Sequence, residues 1–594
     1  MKLSGFFLIL LLTLVSIRAD SIKFDFLVTS DTHDAIGGYN IEGYADWGDY
    51  TYFSKEYVKK HPNVNVLNLF SGDICEGRTS NNPTEEYPYP CQGIIEAMAD
   101  NGIETIFTGG NHDIDTKETT LYYMKTFDDP NNFWGDRFVT ANIIRTDNGN
   151  EYGTAKWITR EFKTTEGNPF KVAILGMLDQ TWGYMADTVK VISIDAAFKN
   201  DEFKSFVQTE KPDLFIVLGH YGGHLYDEET KEFISNPQTY ELGTIIREYS
   251  GNNVPLHFLL GHVHVLQSSD CGDGNGNSLD NCWSYCSDGY FEHASIVHLN
   301  LTKNDNADVF TATHNRDAFV PTITNFKHIL ETDTFVLDAE SQTVSNNLAK
   351  LNKDTQAFDI VGRLTVDHDW IYPTPTNGIF AWNKTSLVRL FFEKVYPAVF
   401  EPFGDIDLFI LNSGTFKENL YHNIDKDQIS GIYPYTENPI TLQMSAEALY
   451  YVVNTANPPA GSVPSDWSDY PLVNSEHIVN RFNYYFTSLN ISKLELGKMY
   501  TVGACNFDIG NILKHACADN KCGDVHVYKS YELKSLIDNY VVNDLYPLNA
   551  DAVTSPQCSQ PTCCSAPQAS KVSFAVKKPA YCRSPAYRRL AICK

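Results

Sequence analysis

The stretch Ile22-Lys23-Phe24-Asp25-Phe26-Leu27-Val28-Thr29-Ser30-Asp31-Thr32-His33 sets the pattern for the first half of the chain. Ile22, Phe24, Phe26 and Val28 alternate with other residues at the period of a strand, and the run breaks into Ser30-Asp31-Thr32-His33. That is a strand with two metal-competent side chains at its carboxyl end. The same grammar recurs four times: Val64–Phe70 before Gly72-Asp73, Ile103–Phe107 before Gly110-Asn111-His112-Asp113, Leu214–Leu218 before Gly219-His220, and Leu256–Leu260 before Gly261-His262-Val263-His264.

Segments of helical character, such as Tyr52–Lys60 and Cys91–Asp100, lie between these strands, so the region reads as an α/β sheet. In such sheets ligand sites form beyond the carboxyl ends of the strands, where all five polar blocks fall. A Gly-polar pair after a buried strand is also what an ordinary turn looks like. Turn chemistry accounts for any one block, but not for a metal-competent side chain in every one.

At 594 residues the chain exceeds the size at which one hydrophobic core keeps growing, and two large domains are expected. Hydrophobic residues at 43% and charged residues at 20% exclude bulk disorder and a polytopic membrane protein. The formal net charge is −28, from 46 basic against 74 acidic residues, which argues against a nucleic-acid partner. A small phosphorylated substrate remains compatible with that charge if bound cations reverse the field locally.

Residues 1–19 read as a secretory signal peptide: Met1-Lys2, an apolar run from Phe6 to Val15, then small residues to Ala19. An uncleaved anchor is the competing reading, but the apolar run is short for a bilayer. The C-terminus carries Lys577, Lys578, Arg583, Arg588, Arg589 and Lys594, without the hydrophobic tail of a lipid-anchor signal. The expectation is a secreted or lumenal protein without a stable membrane anchor. Sequons at Asn300, Asn383 and Asn490 agree with that route.

All thirteen cysteines follow the signal, clustering at Cys271, Cys282 and Cys286, at Cys505, Cys517 and Cys522, and from Cys558 to Cys593. In an exported chain they read as disulfides; a zinc ribbon lacks its paired Cys-x-x-Cys spacing. The odd count leaves one thiol free or intermolecular. Cys75 and Cys91, around the Pro-containing loop Asn81–Pro90, are a candidate bridge.

In order and spacing the five blocks resemble the signature of calcineurin-like metallophosphoesterases, and the chain is similar to secreted two-domain proteins of the 5′-nucleotidase type. Ala45-Asp-Trp-Gly-Asp49 and Ser287-Asp-Gly-Tyr-Phe-Glu292 look like segments of fungal secreted members. The resemblance implies a four-layer α/β/β/α N-terminal domain over 21–325, a linker helix over 326–357, a smaller α/β C-terminal domain over 358–555 and a Cys-containing basic tail over 556–594. It also implies two divalent metal ions, of zinc, manganese or iron. One would be held by Asp31, His33, Asp73 and His264, the other by Asp73, Asn111, His220 and His262. A mixed oxygen and nitrogen shell suits such ions better than calcium.

The implied reaction is hydrolysis of a phosphate monoester, with extracellular nucleotides as substrate, by in-line attack of a metal-bridging hydroxide. Alternatives keep the metals and change the substrate to cyclic phosphodiesters, nucleotide sugars or phospholipid head groups, or discard catalysis for ligand binding. His112 and Asp115 match the family's catalytic dyad; a cap on the next helix is the competing reading of Asp115, and Asp113 is the lesser dyad candidate. His224 reads as a loop residue or an outer neighbour of the metal ligands.

Toward the C-terminus, Asn412, Gly414 and Lys417 resemble a nucleotidase Asn-x-Gly-x-x-Arg segment in which Lys replaces Arg. Lys offers phosphate a point charge where Arg offers a bidentate fork. Tyr435 and Asn438 resemble a Pro-Phe-x-Asn block with one extra residue, and Phe507 falls where a second base-stacking aromatic is expected. The Gly-rich stretch that should follow Phe507 is missing, with Cys517, Cys522 and Gly523-Asp524 in its place.

Overall fold

The computed structural model describes residues 20–547 apart from 34–42, 75–102, 130–133, 184, 228–231, 304–308, 355–358, 365, 367–369, 371–385, 413–415, 417–419, 421–422, 434–437, 447, 450–471, 474–484, 489–493, 496 and 506–521. The expected signal peptide, the basic tail, Cys75, Cys91, Asn383 and Asn490 lie outside the described residues.

In chain order the first region comprises β1 (Asp20–Thr29), α1 (Trp47–Lys60), β2 (Asn65–Phe70), β3 (Thr105–Phe107), α2 (Lys117–Phe127), β4 (Trp157–Lys163), β5 (Pro169–Leu178), α3 (Asp201–Glu210), β6 (Leu214–His220), α4 (Pro237–Ser250), β7 (Leu256–Leu260), β8 (Gln267–Gly272), β9 (Ser278–Cys286), β10 (Ala294–Lys303), β11 (Thr311–Phe319) and α5 (Ala339–Asp354). One sheet has the order β11-β10-β1-β2-β3, and a second the order β8-β9-β7-β6-β5-β4. β1, β2 and β3 run parallel to one another, as do β5, β6, β7 and β9, so each sheet gathers several carboxyl ends at one edge.

Side-chain alternation sorts the layers. Ile22, Phe24, Phe26 and Val28 of β1 share a buried cluster with Val172, Ile174, Leu214, Ile216, Leu218 and Leu259 of the other sheet, and this is the interior between the sheets. Leu27 and Phe70 face the opposite way, onto Trp47, Tyr50, Phe53 and Tyr57 of α1. Ala173, Leu175, Phe215 and Val217 face Phe203 and Val207 of α3 and Leu242, Ile245 and Ile246 of α4. The order helix, sheet, sheet, helix follows from strands buried on both faces.

Between β11 and the C-terminal region, a single connecting helix was expected; two are present, Ile323–Ile329 and α5. α5 is docked on α1: Val344 and Leu348 enter the cluster around Trp47, and Ser345 Oγ donates to Asp46 Oδ1 at 2.7 Å. Asp46 and Asp49 form a reciprocal capping box at the start of α1, which gives the Ala45–Asp49 motif a structural explanation.

The C-terminal region adds β12 (Leu408–Asn412), β13 (Pro439–Ser445), β14 (Leu472–Val473), β15 (Tyr485–Thr487), β16 (Met499–Cys505) and β17 (Cys522–Val527), in the sheet order β14-β15-β12-β16-β13-β17. Its core centres on Leu387, Phe391, Tyr396, Phe400, Leu411 and Leu533. Cys271 and Cys282 are bridged, Cys522 is also disulfide-bonded, and Cys286 is a buried unbridged thiol. Asn300 is exposed on β10.

Candidate metal centre

The carboxyl edges of the two sheets meet through their turns. Asp31 N–H donates to Gly72 O at 2.9 Å, Ser71 Oγ donates to Leu259 O at 2.8 Å, and Gly261 N–H donates to Gly219 O at 3.0 Å. The Asp31 carboxylate accepts the His262 N–H at 2.8 and 2.9 Å, joining the end of β1 to that of β7. Five expected ligands are thereby drawn into tight turns with left-handed backbone: Asp31 (φ 50°), His33 (φ 43°), Asp73 (φ 55°), His262 (φ 77°) and His264 (φ 50°). Each such non-glycine residue costs roughly 1–2 kcal/mol, a strain held by the surrounding hydrogen bonds. Glycines admit the close approaches. A Cβ on Gly110 would lie 2.2 Å from Asp73 Oδ1 and 2.4 Å from Asp73 N, and one on Gly261 would lie 2.0 Å from Ser30 Oγ.

The ligand-type atoms of Asp31, His33 and His264 lie within 4.8 Å of one another, as do those of Asp73, His220 and His262, and those of His33, Asp73 and His112. Asn111 Oδ1 lies 2.7 Å from His262 Nδ1, which brings the seventh expected ligand to the second group. Asp73 Oδ2 stands 2.9 Å from His220 Nε2 and 3.7 Å from His33 Nε2, between the two groups. His33 Nε2 and His264 Nε2 face one another at 3.0 Å, with Asp31 Oδ1 3.2 Å from the latter. Asp31, His33, Asp73, Asn111 and His220 are buried.

The field favours positive charge. Burial would raise the Asp31 and Asp73 carboxyls, yet the neighbouring histidines outweigh it and hold both below the ordinary range. Burial opposes a charge on His220 as well, but Asp73 and Asp31 push its pKa up to about 10. His262 is driven down to about 4 by burial and then by His220. Two carboxylates, an amide oxygen and four imidazoles converging in a buried cleft fit a pair of divalent ions chemically. The His220 ring is orientated for this, since its Nδ1 meets Ser71 O at 2.6 Å and leaves Nε2 for the centre.

The structure separates three neighbouring polar residues. Asp115 Oδ2 lies 2.7 Å from His112 Nδ1, and the cap of α2 is Thr116, so Asp115 pairs with the histidine and does not cap the helix. Asp113 takes no part in that pair. Its carboxylate accepts Gly110 N–H at 2.8 Å, Asp73 N–H at 3.0 Å and Ile74 N–H at 3.3 Å, and burial followed by the Asp73 charge raises its pKa to about 6. His112 N–H in turn donates to Asp73 Oδ1 at 2.8 Å. His224, read as a loop residue, begins a strand over His224–Asp227 that pairs with Glu232–Ser235. Trp182 was not singled out by its sequence context, yet its ring lies 5.5 Å from that of His262.

Of the expected substrate contacts, Gly414, Lys417, Tyr435 and Phe507 lie outside the described residues. Asn412 ends β12. Asn438 commits its amide donor to Tyr531 O at 2.8 Å, a tie between backbone segments.

Residues 24–266 match the family model for calcineurin-like phosphoesterases and form a domain of that family, which uses divalent metals. A secreted protein of Arthroderma benhamiae is 30% identical over 252 residues, covering 41% of this chain and 35% of that protein. An uncharacterised protein of Schizosaccharomyces pombe is 23% identical over 256 residues, covering 41% of this chain and 38% of that protein. The match thus spans little more than a third of the length of these curated relatives. Among solved structures, a 5′-nucleotidase of Candida albicans superposes with a TM-score of 0.65 at 17% identity, over 88% of this chain and 98% of that one. A 5′-nucleotidase precursor of Thermus thermophilus gives 0.59 at 12% identity, over 90% and 100%. At such identities the likeness establishes the fold, a two-domain α/β architecture. No helix among the described residues is long and apolar enough to cross a membrane.

Proposed function

We propose that this chain is a secreted, two-metal hydrolase of phosphate monoesters with nucleotides as its substrate class. The observation that carries the reading is the position of Asp73, whose carboxylate stands between a group formed by Asp31, His33 and His264 and a group formed by His220 and His262. When bound, two divalent ions supply a nucleophilic oxygen near neutral pH and neutralise charge on the phosphoryl group. Asp31, His33, Asp73 and His264 would hold one, and Asp73, Asn111, His220 and His262 the other.

The residues beside the cage have separate tasks. Asp115 fixes His112 through Nδ1, which leaves Nε2 to donate a proton or hydrogen bond toward the phosphoryl or leaving-group oxygen. Asp113 clamps the turn that carries Asn111 and His112 to the turn that carries Asp73. Secretion is supported by the leader-like first 19 residues, the Cys271–Cys282 disulfide and the secreted fungal relative.

The test is hydrolysis of AMP, ADP, a UDP-sugar and p-nitrophenyl phosphate by purified protein, with and without chelator, and by the Asp73→Asn variant. AMP turnover that disappears on chelation, returns with zinc or manganese and is absent in Asp73→Asn is the expected result. Turnover untouched by both treatments would refute the metal reading, and a preference for the UDP-sugar would replace the substrate class.

A further inference from the structure

The segment Ser287–Glu292 follows β9, and no step above uses it. Within it, Tyr290 touches Asp31, His33 and His264. Its backbone N–H donates to Asp31 O at 2.6 Å, its ring centroid lies 5.1 Å from that of His33 at a tilt of 31°, and it meets the His264 ring edge-on at 4.8 Å. Tyr290 is 5% exposed and holds a left-handed φ of 54°, as does Phe291 at 56°. Phe291 anchors the segment from below by stacking on Trp47 at 4.9 Å and 18°.

His220 and His264 are orientated by different means. His220 takes the common solution, a hydrogen bond from its remote ring nitrogen to a backbone carbonyl. His264 has no such partner for Nδ1 among the described residues: its recorded polar contacts are made through Nε2, toward His33 and Asp31. What fixes the His264 ring is packing, with His33 at 4.8 Å, Tyr290 at 4.8 Å, and Gly289 so close that a Cβ there would lie 2.7 Å from His264 Cγ. An imidazole free to rotate about its side-chain bonds would lose the alignment of Nε2 with Asp31 and His33.

We propose that Tyr290 is a positioning residue for the ion held by Asp31, His33, Asp73 and His264, replacing with aromatic packing the hydrogen bond that usually orients a metal-bound histidine. The inference rests on the two-metal reading above and adds to it that the two ion positions respond to different supporting residues. Removing the ring should weaken one position and spare the other, by on the order of 10-fold, the scale on which supporting residues tune metal affinity.

The experiment is calorimetric titration of the metal-stripped full-length protein with zinc, in wild type, Tyr290→Leu and Tyr290→Phe. The expected result is two binding steps in wild type, one of them about 10-fold weaker in Tyr290→Leu, and both restored in Tyr290→Phe, which keeps the ring. Equal weakening of both steps, no change in Tyr290→Leu, or a Tyr290→Phe variant as weak as Tyr290→Leu would each overturn the proposal. A wild-type chain that binds fewer than two ions overturns the two-metal reading itself, so the two failures are told apart.

Discussion

His112 Nδ1 lies 2.7 Å from Asp115 Oδ2, and this pair sits beside the carboxylate of Asp73, with the ligand-type atoms of His112, His33 and Asp73 within 4.8 Å of one another. A histidine held by a carboxylate through one nitrogen keeps its tautomer and its aim, so the other nitrogen serves the substrate. The His112→Ala variant is therefore expected to lose about 10²- to 10⁴-fold in kcat for AMP. Asp115→Ala, which frees the ring but leaves it in place, should lose less. Metal content measured by plasma emission should stay at the wild-type level in both; loss of metal in step with activity would make these residues structural.

Asp113 differs from Asp115 although both are acidic and two positions apart. Three backbone N–H groups from two turns end on its carboxylate, and all of them are buried with it. Asp113→Ala leaves those donors without a partner, each at a cost of about 1–3 kcal/mol if water does not reach it. A fall in the urea midpoint of the metal-free protein is expected, together with weaker metal retention. A variant as stable as wild type would show that the clamp is dispensable.

Gly110 tests the cage from the backbone side. A methyl group there would fall within 2.4 Å of Asp73 N and 2.2 Å of Asp73 Oδ1, and a strand-end turn already tied by hydrogen bonds cannot move away freely. Gly110→Ala should bind fewer than two metals per chain at saturating zinc while its far-ultraviolet circular dichroism stays native. Full occupancy in that variant would mean that the Asp73 turn relaxes.

The sequence made the strand-end grammar plain because both of its ingredients are local. The alternation of Ile22, Phe24, Phe26 and Val28 follows from a strand buried between two sheets, and the ligand types follow from metal chemistry. The left-handed backbone at Asp31, His33, Asp73, His262 and His264 could not be read in the same way, because none is glycine and the strain is imposed by long-range hydrogen bonds. The same reason hid the division of labour between Asp113 and Asp115, which depends on where the Asp73 turn lies. α5 looked like a connector because its Val344 and Leu348 carry no sign of their partner, the face of α1 that Gly48 keeps narrow.

A pH effect on stability should come from a histidine remote from the metal centre. His298 Nδ1 lies 2.7 Å from Asp25 Oδ1, with Asp317 3.4 Å from the other nitrogen, and Tyr57 OH donates to the second Asp25 oxygen at 2.7 Å. Burial disfavours the His298 charge, but Asp25 and Asp317 outweigh it and raise its pKa to about 9. The folded state then binds a proton more readily than the unfolded chain, whose histidine titrates near 6.5. The contribution is complete below about pH 6.5 and is lost as the pH rises through about 9. With more than a third of the side chain exposed, solvent screening reduces it to about 1 kcal/mol. Urea denaturation of the metal-free protein at pH 6.5 and pH 9.5 should show the wild type losing that increment, and His298→Gln losing less. Equal pH dependence in the two proteins would place the titrating group elsewhere.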